Sequence, residues 1–373
     1  HPHGLGRRQR QMCIRDSRGG APGGAGPGRE YRRGRVRFQH PDQGSRDGSV
    51  PVSAGGVGRI LALSGGVGGA KLCLGLADEL APGQLQVAVN TGDDFRHLGL
   101  PISPDIDTLL YTLSGRANSA QGWGLQGESW HAMAALEELG GETWFRLGDR
   151  DLATHLWRSE RLAAGAPLSA VTAELALRLG VRVGVHPMSD DPVRTTVHSD
   201  EGDLPFQHYF VRRRCEPAVR GFSFVGIERA APNPRLMELL ADSSLEAVVL
   251  CPSNPFVSID PLLQLPGLWP AMRDAGAPVV AVSPIVAGMA IKGPAAKMMR
   301  ELGMPVTAQG VARHYRDRYP GLIDTFVIDR SDAALGREIG ELGCEVAITD
   351  SVMRSRQDKR LLARFVLQMA GAI

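Results

Sequence analysis

The chain has 373 residues, 43% of them hydrophobic, which is enough for a substantial buried core in one large or two ordinary domains. Its 42 basic and 40 acidic side chains leave a formal charge of +2, and much of the basic excess falls early in the chain, so the body offers no basic field for a nucleic acid. The five cysteines carry no zinc spacing and no disulfide framework and suit a reducing cytoplasm, and no apolar stretch is long enough to span a bilayer.

Residues 1–57 are rich in Gly, Pro and Arg and lack sustained apolar periodicity; the expectation is a disordered or non-native extension, outside the fold. The body, 58–373, opens on Arg59-Ile60-Leu61-Ala62-Leu63, a run suited to a buried parallel strand. Ser64-Gly65-Gly66-Val67-Gly68-Gly69-Ala70-Lys71 follows at once. Glycines let the backbone approach a ligand, and a helix opening at Ala70 aims free N–H groups and a positive dipole end at that place. An anion such as a phosphate fits there, with Lys71 in reach of it or lying on the helix surface. A tight turn without a ligand is the alternative.

A second strand, Leu85–Val89, ends in Asn90-Thr91-Gly92-Asp93-Asp94, and polar residues at the carboxyl end of a parallel strand face the ligand crevice of open α/β sheets. Ser103 or Asp105 caps the next helix, through Leu109, Leu110 and Leu113. Asp93, Asp94, Asp105 and Asp107 thus gather near one glycine turn, and like charges so placed point to a bound cation or proton. From Gly124 to Gly180 helical patterns dominate and read as an insertion, about 115–180, beside the sheet. Within it Asp151 reads as a cap and His155 as part of a polar face.

Strand Val181–Val185 leads to Pro187-Met188-Ser189-Asp190-Asp191-Pro192. Arg194–His198 and Leu204–Val211 then read as an antiparallel hairpin. Beyond Leu245, strands at Ala247–Cys251, Val279–Val282, Thr325–Ile328 and Glu345–Ile348 alternate with helices and add to a parallel sheet. Ser253 and Asn254 follow one of these strands, where such side chains bind a base, ribose or phosphate or merely close Asx-type turns. The pattern is α/β, Rossmann-like, a mostly parallel sheet flanked by helices.

No Gly-x-Ser-x-Gly elbow, His-Glu-x-x-His, Walker lysine spacing or Cys-x-x-Cys is present. A glycine turn, carboxylates for a hard divalent cation and abundant arginine suit nucleotide-dependent phosphoryl or phosphodiester transfer. An NAD(P)-dependent oxidoreductase is disfavoured, because the Asn90–Asp94 loop stands where an acidic ribose ligand follows the second strand.

The blocks Leu63–Leu72, Val89–Asp94, Ile102–Thr108, Leu147–Asp151 with Thr154-His155, Pro187–Val193, Pro252–Pro255 and Val282–Ile285, in this order, resemble the 2-phospho-L-lactate transferase family of coenzyme F420 biosynthesis. The resemblance implies a cytoplasmic, homodimeric, Mg2+-dependent transferase. Such an enzyme moves a phospholactyl-type group from a guanosine diphosphate-linked donor to the deazaflavin FO and releases GMP. The implied roles are Asp107 and Arg146 on FO, Asp107 and Asp94 in catalysis, and Asp93 and Asp94 on the metal. Ser64, Gly65, Gly66, Gly68, Gly69, Lys71, Ser253 and Asn254 would hold the nucleotide phosphates. Arg146 stands where Lys is expected in some relatives, which replaces a point donor by a planar fork. Proteins of the same superfamily that bind nucleotide sugars and act in regulation are the second reading.

Overall fold

The computed structural model describes residues 58–118, 121–291 and 293–373; the expected N-terminal extension, residues 1–57, lies outside the described residues. Seven strands form the central sheet: β1 (Arg59–Ser64), β2 (Leu85–Val89), β3 (Gly184–Pro187), β4 (Leu245–Leu250), β5 (Val279–Val282), β6 (Thr325–Asp329) and β7 (Glu345–Thr349). Their order is β7-β6-β5-β4-β1-β2-β3, and every pairing is parallel. The chain therefore winds outward from β1 to one edge and then from β4 to the other. The direction reverses between β1 and β4, the place where doubly wound sheets bind ligands.

Both faces of the sheet are covered, which explains why its strands are nearly continuous apolar runs. Alternation along each strand divides the core in two. Ile60, Ala62, Val87, Val89, Val249, Val280 and Val327 face one cluster. Leu61, Leu63, Ala88, Val248, Leu250, Ala281, Phe326 and Ile328 face the other. The first cluster is closed by α1 (Gly66–Glu79) and the C-terminal helix Arg356–Met369. Ion pairs from Arg356 to Asp78 and from Arg360 and Arg364 to Glu79 tie these two helices together. No helix among the described residues is long and apolar enough to cross a membrane.

The strands expected at Leu85–Val89 and Val279–Val282 have those bounds. Two expectations are corrected. The first helix opens at Gly66 and not at Ala70, because glycine costs little in a first turn packed against another loop. The hairpin is Arg194–Ser199 with Gly202–Pro205, joined by a third strand, Val219–Val225. Residues from His208 to Arg212, expected to extend a strand, form a turn of wide helix in which Tyr209 is buried. The helix expected through Leu109, Leu110 and Leu113 is α2 (Pro104–Leu113), and the span of the expected insertion, about 115–180, holds α3 (His131–Glu138), α4 (Asp149–Ala163) and α5 (Leu168–Arg178).

Candidate active site

The strand ladders themselves place the site. Past the last β1 pairings, the Asn90 amide donates to the Ser64 carbonyl at 3.0 Å and the Cys251 amide to that of Leu63 at 3.1 Å. The segments after β2 and β4 thereby flank the segment after β1. Their polar residues converge on the N-terminus of α1.

The glycine turn is held from both sides. The Ser253 hydroxyl accepts from the Gly65 amide at 3.1 Å and donates to the Gly65 carbonyl at 2.7 Å. Asp105 Oδ1 accepts from the Gly66 amide at 2.7 Å, and its Oδ2 accepts from Asn90 Nδ2 at 2.9 Å. Asn90 also donates to the Val257 carbonyl and accepts from the Gly92 amide. With the Gly65 and Gly66 amides so occupied, helix geometry leaves the Val67 and Gly68 amides as first-turn donors for an anion. A Cβ on Gly68 would collide with the Pro252 carbonyl oxygen, and one on Gly69 with the hydroxyls of Ser64 and Ser253. Those two glycines serve close packing. Gly66, at φ +62° with open space around it, serves the turn.

Lys71 Nζ donates to the Met353 carbonyl at 2.9 Å, just ahead of the C-terminal helix Arg356–Met369. Asn254 accepts from the Phe256 amide at 3.0 Å, the Asx geometry that was one of its two readings.

The four carboxylates are all buried. Burial, followed by the neighbouring Asp105 charge, pushes Asp93 well above the usual carboxylate range. Burial lifts Asp94 to about 7 against the opposing hydrogen bond from Ser103, which donates to Asp94 Oδ2 at 2.8 Å. Burial likewise lifts Asp105 to about 6, although Asn90 and the Gly66 amide work the other way. The inner oxygens Asp93 Oδ1 and Asp94 Oδ1 have no hydrogen-bond partner. Ser103, expected as a cap of α2, makes no side-chain cap bond there and spends its hydroxyl on Asp94.

Asp107 stands apart from this trio in its partner. Both of its oxygens are taken by the guanidinium of Arg158, Nη1 to Oδ2 at 3.1 Å and Nη2 to Oδ1. Arg158 is fully buried on α4. Burial opposes its charge, but Asp107 more than offsets this and raises its pKa. Arg158 Nη1 also lies 3.1 Å from His155 Nδ1, and His155 Nε2 lies 3.3 Å from Asp151 Oδ1, which accepts from the Tyr111 hydroxyl at 2.7 Å. Arg158 was missed in the sequence, and His155 and Asp151 were assigned to a polar face and a cap. The signal was present: Asp151, His155 and Arg158 fall at i, i+4 and i+7, one stripe of a helix that faces α2 instead of solvent. Glu128 accepts from the amides of Arg150 and Asp151 and so takes over the start of α4.

Arg146 is exposed, with its guanidinium 4.5 Å from the centre of the Trp130 ring. It is not bonded to the carboxylate cluster. In the two remaining blocks, Asp149 accepts from the amides of His131 and Ala132 at the start of α3, and Asp190 from the amide and hydroxyl of Ser169 at the start of α5.

Among the described residues no three Asp, Glu, His or Cys side chains form a ready-made cation cage. Mg2+ does not require one: it keeps several waters and is bound through one or two carboxylates together with substrate phosphates. The two unpartnered inner oxygens of Asp93 and Asp94 fit that requirement.

Comparison with known proteins gives the family of the chain. The family model described as 2-phospho-L-lactate transferase CofD matches residues 60–360. The chain is 39% identical over 320 residues to a phosphoenolpyruvate transferase of Streptomyces griseus, covering 84% of this chain and 99% of the relative. It is 38% identical over 309 residues to a 2-phospho-L-lactate transferase of Methanosarcina mazei, covering 83% and 99%. The fold is also that of a UPF0052-family protein of Bacillus halodurans, with TM-score 0.55 and 16% identity over 83% of this chain and 99% of that one. The chain belongs to the 2-phospho-L-lactate transferase family.

Proposed function

We propose that this chain transfers a phosphate-linked acyl group from a guanosine diphosphate-linked donor to the hydroxyl of the deazaflavin FO, releasing GMP, in coenzyme F420 biosynthesis. The observation that carries this reading is the pair of unpartnered carboxylate oxygens, on Asp93 and Asp94, beside the α1 N-terminus at the point where the sheet reverses direction. The first turn of α1 would receive the donor's diphosphate. Mg2+ held by Asp93 and Asp94 would supply neutralisation of that diphosphate.

In the reaction the FO hydroxyl oxygen forms a bond to the acyl-bearing phosphorus. The bond from that phosphorus to the bridging oxygen breaks, and the oxygen leaves with GMP. The hydroxyl proton passes to a carboxylate, for which Asp94 and Asp107 are the candidates. Asp107, fixed in orientation by Arg158, retains acceptor capacity for an incoming hydroxyl, since a carboxylate has about four lone-pair sites. Arg146 would meet FO at the aromatic rim.

The names of the relatives divide between phosphoenolpyruvate and 2-phospho-L-lactate at 39% and 38% identity, so similarity does not choose the acyl group. The test is a mass-spectrometric assay with FO, Mg2+ and, separately, guanosine diphosphate-linked phosphoenolpyruvate, 2-phospholactate and 3-phosphoglycerate donors, each with an EDTA control. Metal-dependent GMP release with a phosphodiester-linked FO product supports the reading and identifies the donor. No product with any donor, and no FO binding, rejects it in favour of a nucleotide-sugar regulator.

A further inference from the structure

We infer that Arg158 is the positioning residue of this site: it holds the Asp107 carboxylate in one plane so that the remaining acceptor sites of that carboxylate meet the attacking hydroxyl. The inference rests on the transfer reaction proposed above.

The geometry is specific to arginine. Two guanidinium nitrogens each meet a different oxygen of Asp107, so the plane of the carboxylate is fixed relative to the plane of the guanidinium. A lone hydrogen bond would leave the carboxylate free to turn about its own axis. Arg158 is in turn held by its neighbours on α4 and α2. A guanidinium has only donors, so His155 Nδ1 accepts from Arg158 Nη1 at 3.1 Å. The His155 ring proton therefore sits on Nε2, facing Asp151 Oδ1 at 3.3 Å. Asp151 is fixed on its other side by the Tyr111 hydroxyl of α2 at 2.7 Å. The chain Asp107, Arg158, His155, Asp151, Tyr111 starts and ends on α2 and closes through α4. Every member is buried.

Burial also says what the arrangement is for. Asp93, Asp94, Asp105 and Asp107 are four buried carboxylates between the end of β2 and the first turn of α2, and a fully buried cation beside them is retained only if it is paired. Arg158 spends that pairing on Asp107, the one member of the four that makes an ion pair with an arginine. Arg158 thereby ties α4 to Asp107 on α2. Loss of such orientation, with the chemistry groups all present, costs about 10²-fold in rate.

The test compares the wild-type chain with Arg158→Lys, Asp107→Asn and the double variant, each checked for folding by circular dichroism and assayed for kcat and for KM of donor and acceptor. Lysine keeps the charge but, as a point donor, cannot hold both oxygens. The expected result is a fall in kcat of about 10²-fold for Arg158→Lys with donor KM unchanged, and a double variant no slower than Asp107→Asn alone. An Arg158→Lys protein with wild-type kcat, or losses that multiply in the double variant, overturns the inference and leaves the transferase intact. Should Arg158→Lys not fold, Asp107→Asn/Arg158→Gln removes both buried charges together. Turnover equal to that of Asp107→Asn supports the inference, and a further loss overturns it. A wild-type chain that makes no product with any donor overturns the transferase reading and this inference together.

Discussion

Ser253 and Gly65 form a reciprocal clamp: one hydroxyl bonds both the amide, at 3.1 Å, and the carbonyl, at 2.7 Å, of the same residue. It joins the loop after β4 to the loop after β1, across the point where the sheet changes direction. Ser253→Ala leaves both backbone groups buried without that partner, at a cost of about 1–3 kcal/mol. The expected outcome is a lower urea midpoint with an unchanged m-value, and weaker donor binding because the turn is no longer pinned. An unchanged midpoint together with weaker donor binding would instead mean that Ser253 acts only on the ligand.

Gly68 makes a sharper test of whether the glycines serve packing or a bound anion. A methyl group there meets the backbone oxygen of Pro252, which cannot swing aside as a side chain does. Gly68→Ala should cost about 1–3 kcal/mol through forced displacement of α1, measurable by thermal unfolding without any ligand. Gly66→Ala has open space but sits at φ +62°, so its cost is backbone strain of about 1–2 kcal/mol. If both variants unfold as the wild type does, the packing account of this turn is wrong.

The buried carboxylates make stability depend on pH in the direction opposite to that of a salt-bridged acid. Asp94 is raised from 3.8 to about 7 and Asp105 to about 6. Between the ordinary value and the raised one, the folded state binds more protons than the unfolded state, so stability falls as pH rises. The metal-free chain should therefore lose stability from about pH 4 to about pH 7, by up to about 1.4 kcal/mol per pH unit for each such group. Mg2+ bound at these carboxylates would displace the protons, so its stabilisation should be small at pH 5 and large at pH 8. Thermal unfolding with and without Mg2+ at the two pH values checks this, and Asp94→Asn should flatten the slope. Equal Mg2+ stabilisation at both values would remove these carboxylates as the binding site.

What the sequence shows of this fold follows from burial. Val279–Val282 and Leu85–Val89 are readable because a strand covered on both faces has no polar residue to interrupt it. The α1 start is displaced because the usual penalty for glycine in helices is set aside where packing forbids a Cβ, as at Gly68 and Gly69. Phe206–Val211 has strand-like composition, but Tyr209 buries its ring by winding and not by alternation. Asp93, Asp94, Asp105 and Asp107 were legible as a cluster because they follow a strand end and open a helix. Arg158 was not, because a charged residue on a charged helix reads as solvated, and only α2 packing against α4 turns that stripe inward. Asp105 belongs to the same legible cluster and also reads as a cap, but its bond to the Gly66 amide is a long-range contact that no local pattern encodes.

Arg146 separates a contact with the acceptor from a contribution to the fold. It is exposed and its visible partner is the Trp130 face at 4.5 Å, an interaction worth about 0.5–1 kcal/mol at such a site. Arg146→Ala should therefore shift the unfolding midpoint only slightly. If the guanidinium also meets FO, the same variant raises KM for FO several-fold, with kcat and the donor KM near wild type, the signature of lost uniform binding. Arg146→Lys discriminates further: a point charge suffices for an ionic contact, whereas a stacked or forked contact needs the planar group. Recovery of FO affinity in the lysine variant would assign Arg146 a charge role, and its failure a planar one. Wild-type kinetics in Arg146→Ala would remove the residue from the acceptor site and leave it as a surface partner of Trp130.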